Sequence, residues 1–194
     1  MCYGPLLFHA VKTGKGAGRF PPYPLKGMGV HRPFSMIQEI ALYERELCWL
    51  LEHMHHTVDG LTERQLHWHP AQAQANSSAA IINHILACTR VYVLGFGCRQ
   101  PVSRDRSTEF APVNATRSSS SSELLQLADD IQTALAVLRP EDLDERLVPP
   151  QELWSGTVAV REITRREAFI ISIRHAALHL GELRLTSDLA RHHA

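Results

Sequence analysis

Apolar residues recur at helical spacing in four separate stretches of this chain. In the first, Ile37, Ile40, Leu47, Cys48, Leu51, Met54 and Val58 form one stripe, which predicts a long helix over about 33–58. Pro33 suits its first turn, and Ser35 with Gln38 has capping-box spacing. Leu42 and Trp49 make a second stripe on the other side, as a subunit contact would require. The second stretch opens on Asn76-Ser77-Ser78, good N-cap chemistry, and runs to about Gly95 with Ile81, Ile82, Ile85, Leu86 and Val91 as packing residues. In the third, Leu124, Leu127, Ala128, Ile131, Leu135 and Leu138 face one way and Asp129, Asp130 and Gln132 the other. Ser120 and Glu123 place its start in the serine run. Thr164 and Glu167 cap the fourth, which reaches about Leu189. It is apolar on two faces, Ile171, Leu178 and Leu189 on one and Phe169, Ile173, Ala176 and Leu180 on the other. Such a helix belongs at the centre of a fold or between subunits.

The links are less patterned. Leu61 to Pro70 reads as a short helical turn carrying a buried Trp68. Residues 96–119 are a long polar link with Arg99, Arg104, Arg106 and Arg117, of a length that often lines a site. Residues 157–163 alternate weakly and predict a short extended piece. Residues 1–32, rich in Gly, Pro and Lys, show neither period and read as a flexible leader, leaving 33–194 as the domain. Four helices without a convincing sheet predict an all-α four-helix bundle.

Composition narrows the function classes. Lys+Arg and Asp+Glu balance at twenty each, so no overall field draws the chain to nucleic acid or an anionic membrane. No run of about eighteen apolar residues predicts a membrane span. The short apolar run from Pro5 to Val11 lacks a cleavage site, so no signal peptide is expected. Cys2, Cys48, Cys88 and Cys98 form neither a CxxC nor a disulfide framework, which places the chain in a reducing cytoplasm.

The candidate chemistry lies in the last helix. His175 and His179 are one turn apart on one face, with Glu182 on the same side. Two imidazoles so placed can share a metal ion. With twelve histidines in 194 residues, about 0.7 such pairs arise by chance, so spacing alone favours two core histidines over a metal pair. His84 sits among the packing residues of the second helix, with Cys88 one turn on as a small core residue. Glu44 falls inside the first apolar stripe, either as an outer partner to a metal-bound histidine or as a carboxylate reaching out at the edge.

Three pieces together resemble the DinB-like family of metal-binding four-helix bundles, over roughly Phe34 to Ala190. They are the Leu61–Pro70 connector ending Leu-x-Trp-x-Pro, Asn76-Ser77 leading to His84, and His175-x-x-x-His179-x-Gly181-Glu182. The resemblance implies an up-down-down-up topology, often dimers, and His84, His175 and His179 as three metal ligands. Three neutral imidazoles leave the ion's charge uncompensated and positions open, as in a catalytic rather than a structural site. Histidine suits zinc, nickel or iron(II). Glu44 and Glu182 are the candidates to accept the ligands' outer N–H groups. A zincin protease is disfavoured, because Ala176 stands where HExxH needs glutamate. Family members include S-transferases that use low-molecular-weight thiols, so the expected activity is thiol-dependent S-transfer to small electrophiles. Metal-dependent hydrolysis and a non-enzymatic metal- or small-ligand-binding stress protein are the alternatives. The expected partners are a small-molecule substrate and a second copy in a homodimer.

Overall fold

The computed structural model describes residues 36–71, 75–109, 114–154 and 159–193, so the leader expected over 1–32 and the boundary at 33 lie outside the described residues. Four long helices dominate: α1 (Met36–Asp59), α3 (Ser78–Thr89, continuing as a π-helix over Arg90–Gly97), α4 (Arg117–Ala136) and α5 (Arg165–His193). A five-residue helix, α2 (Glu63–His67), links α1 to α3. Helix α1 packs against α4 and α5, and α3 against the same two, which closes an all-α bundle.

The helices form where the apolar stripes require them to. Leu47, Leu51, Met54 and Val58 of α1, Ile81, Ile82 and Ile85 of α3, Leu124, Leu127 and Ile131 of α4, and Phe169 and Leu183 of α5 are all essentially inaccessible to solvent. Each such side chain contributes about 1.5–3 kcal/mol of burial free energy. Caps fix the starts. Ser77 Oγ accepts from Ala80 N at 3.2 Å, and Thr164 with Glu167 makes the expected reciprocal pair, Glu167 N to Thr164 Oγ1 at 3.1 Å and Thr164 N to Glu167 Oε2 at 2.8 Å.

Several expectations shift. Helix α4 starts earlier than the Ser120–Glu123 box: Thr116 is its N-cap, paired with Ser119, and Ser120 and Ser121 are buried within the helix. A capping box needs only a hydroxyl and a polar residue three on, and a serine run offers that in several registers. Helix α5 is not buried on both sides, since Ile170, Leu178 and Leu185 are exposed. Trp68 is only half-buried and stacks on His193, ring centroids 5.9 Å apart. A two-residue antiparallel pairing, β1 (Arg146–Leu147) with β2 (Ile163–Thr164), lies at the end of the weakly alternating stretch. The span Ser78–Gly97, with mean hydropathy 1.5, is long and apolar enough to cross a membrane, but 78% of it is buried inside the bundle. Burial on nearly all sides accounts for a helix without a polar face.

The π-helical end of α3 sets the path of the chain beyond it. Cys98 N donates to Val93 O at 2.8 Å, a bond one residue longer than the α-helical one. Gly97 lies so close to Phe169 that an added Cβ would come within 2.6 Å of the ring, so the two helices meet there only over a glycine. Arg99 then takes the left-handed conformation, φ 60°, and ends the helix. Gly97 O accepts from the buried Arg165 at 2.6 Å, tying the end of α3 to the start of α5. From Arg99 the chain doubles back across α3, and this return carries two residues into the site.

Candidate metal centre

His84 projects from the middle of α3, and His175 and His179 from successive turns of α5. Packing of α3 on α5 brings the three rings together, with centroids 5.0 Å apart for His84–His175, 4.9 Å for His84–His179 and 4.5 Å for His175–His179. One ring nitrogen from each lies within 4.8 Å of the others. His84 is buried and the other two are partly open.

Which nitrogen faces inward follows from the outer partners. His179 Nδ1 donates to Glu182 Oε2 at 2.7 Å, which turns its Nε2 toward the cluster. His84 Nδ1 donates to Glu109 Oε2 at 2.7 Å and leaves its Nε2 3.2 Å from His175 Nε2. Among the described residues, Nδ1 of His175 has no hydrogen-bond partner. Burial, then the neighbouring His179 and His84 and the Arg104 charge, push the His175 imidazolium down to about 3, so this ring is neutral at ordinary pH.

Glu182 lies one turn beyond His179 and is hydrogen-bonded to it. The hydrogen bond from His179 holds its carboxyl below the usual range against burial, with Asn76 at the start of α3 as a further partner. Glu44 does not join the histidines. It is half-buried on α1 and lines an open cleft toward α4 with Cys48, Trp49 and Gln132. Among the described residues no hydrogen bond connects it to the three rings.

The carboxylate beside His84 is instead Glu109, from the link after α3. It is 2% exposed. Burial raises its pKa, but hydrogen bonds from Arg104 and His84 outweigh that and hold it at about 2. Arg104 donates through Nε to Glu109 Oε1 and through Nη2 to Oε2 at 2.9 Å, a bidentate pair. The same Nη2 lies 3.0 Å from Cys88 Sγ, and Nη1 donates to Leu153 O at 3.3 Å. Cys88 therefore belongs to this polar network as well as to the core. His84, Cys88 and Glu109 also have ligand spacing, but the Arg104 guanidinium already supplies the cation on that side.

The donor set fits a divalent ion. Three nitrogens converge, the most buried proton-binding sites are neutral or carboxylate-paired, and two of the three rings pass their outer N–H to a carboxylate, as metal-bound histidines do. Three ligands leave positions for a substrate. A family model described as mycothiol-S-transferase matches residues 44–192, which takes in all of these groups. A search of curated proteins finds no match.

Proposed function

The chain belongs to the mycothiol S-transferase family, a DinB-like family, and on that premise we propose that it transfers a low-molecular-weight thiol of the mycothiol class to small electrophiles, using a divalent ion held by His84, His175 and His179. The observation that carries the reading is the convergence of three imidazoles, two of them backed by carboxylates, inside the matched region. Zinc, nickel and iron(II) all suit the donors. When bound, such an ion favours the thiolate form of a thiol at neutral pH.

The reaction balances simply. The thiol gives its proton to water, its sulfur forms a bond to the electrophilic carbon, and the leaving group departs with the electron pair. The protein's own groups orient the histidines. Glu182 holds His179, and burial keeps His175 unprotonated. The free thiols Cys48, Cys88 and Cys98 accord with a reducing cytoplasm, where a thiol cosubstrate stays reduced. A homodimer, with no nucleic-acid or membrane partner, completes the proposal.

The test is metal analysis of the purified full chain beside His84→Ala, His175→Ala and His179→Ala, followed by thiol consumption with 1-chloro-2,4-dinitrobenzene and a panel of mycothiol, bacillithiol, glutathione and cysteine. About one ion per chain, lost in folded variants, with metal-dependent turnover of one thiol, is expected. Ester or amide cleavage without thiol would replace the reading with a hydrolase. Tight metal binding with no turnover of either kind would leave a binding protein.

A further inference from the structure

The link after α3 brings an ion pair into the bundle. The Arg104 side chain is 1% exposed and that of Glu109 3%, and both oxygens of Glu109 are occupied by Arg104, one of them shared with His84. The backbone holds the carboxylate in the same place, since Asn83, next to His84 on α3, donates through Nδ2 to Glu109 O at 3.0 Å. Burying two charges is costly, and replacing such a pair by hydrocarbon is often neutral or stabilising. General stability therefore does not account for it, whereas its contact with one nitrogen of one histidine does.

A neutral imidazole carries its proton on either ring nitrogen, and only the other can bind a metal ion. A carboxylate can only accept, so Glu109 beside Nδ1 selects the tautomer with its proton there. We propose that Glu109 is a positioning residue of the centre: it fixes the His84 ring proton on Nδ1, so that Nε2 is presented to the ion, and Arg104 clamps Glu109 in that register. The ion itself rests on the three-histidine reading above, but the tautomer is a property of the metal-free chain. The link after α3 is thus part of the centre, although none of its residues touches the ion.

Two measurements on the full-length protein test this. Ring-nitrogen NMR of the metal-free wild type is expected to show His84 protonated at Nδ1 and bare at Nε2, with Glu109→Gln and Glu109→Ala giving a tautomer mixture. Zinc competition against a chromogenic chelator is expected to show about 10–100-fold weaker binding for Glu109→Ala, as for outer-partner losses at other metal sites. Glu109→Gln should be intermediate, and Arg104→Met, which removes the clamp but not the acceptor, should be weakened less. The cobalt(II) absorption bands should shift in Glu109→Gln, which a merely structural role would not cause. A wild-type His84 protonated at Nε2, or a folded Glu109→Gln with unchanged tautomer and zinc affinity, would overturn the proposal. Should Glu109→Ala not fold, the wild-type spectrum and Glu109→Gln decide. Should the wild type bind no ion, the proposed function fails while the NMR arm still decides the role of Glu109.

Discussion

Helices α1 and α4 bury Leu47, Leu51, Met54, Leu124, Leu127 and Ile131, a set with no polar atom among the side chains. Helices α3 and α5 bury His84, Ser78 and Ser187 alongside their hydrocarbons, with Arg104 and Glu109 laid across them from the link. Both seams are closely packed, so packing does not distinguish them. What differs is how the buried groups are satisfied. The first seam is mostly hydrocarbon, with a polar bridge between Ser121 Oγ and His55 Nδ1 at 2.6 Å, while in the second Ser78 Oγ meets Ser187 Oγ at 3.3 Å and a buried ion pair holds His84. Hydrocarbon burial stabilises each folded molecule directly, whereas a polar network roughly breaks even and is kept for what it positions. The bundle thus divides into a half that holds it together and a half that holds a site.

That division can be broken most directly at the ligands. His175→Ala should lose metal by more than the roughly 10–100-fold typical of outer partners, with the fold retained, as checked by metal analysis and circular dichroism. Leu127→Ala should do the reverse. It should cost about 2–5 kcal/mol of unfolding free energy in a urea titration, with metal stoichiometry per folded chain unchanged. If Leu127→Ala also weakened metal binding in the folded fraction, the two halves would be coupled and the comparison would fail. Glu182→Gln keeps the shape beside His179 but weakens the acceptor, so about tenfold weaker zinc binding at nearly unchanged stability is expected. The smallest effect is graded with pH. In the unfolded chain His175 takes up a proton near its ordinary value of about 6.5. In the fold it does so only near 3. Between those values the unfolded chain binds the extra proton, so the metal-free fold loses stability as pH falls from 6.5 toward 3. Urea midpoints at pH 7 and pH 5 should differ more for wild type than for His175→Ala.

Much of this was legible in the sequence because it depends on period. The stripes of α1, α3 and α4, the Thr164–Glu167 cap and the shared face of His175, His179 and Glu182 all follow from residues three and four apart. His84 came from the ordered resemblance, since a lone histidine in an apolar helix is compatible with either role. Glu109 and Arg104 were not legible as a pair. They sit in a link with no period, and the contact that defines them joins residues twenty-five positions apart, Glu109 to His84. The only signal was the length of that link and its arginines. For Glu44 the pattern left two readings open, an outer partner of a histidine or a carboxylate reaching out at the edge, and the helix turns it toward an open cleft beside α4 that Gln132 also lines. Likewise Leu178 shares its spacing with the histidines yet is 70% exposed, because period fixes the face of a helix but not what covers it.

The wide turn at the end of α3 bears on which insertions and deletions the chain can tolerate. Each residue of an α-helix advances the chain by about 100° around its axis. The π-helical stretch Arg90–Gly97 accommodates one residue more per turn than an α-helix would. Deleting a single residue there would restore ordinary helical bonding, a locally favourable change. It would also shorten the helix by about 1.5 Å and change which residue meets Phe169, putting the return that carries Arg104 and Glu109 out of step with His84. The irregularity therefore acts as a register setting. A descendant of this chain that changed the count of residues between His84 and Arg99 would lose that register.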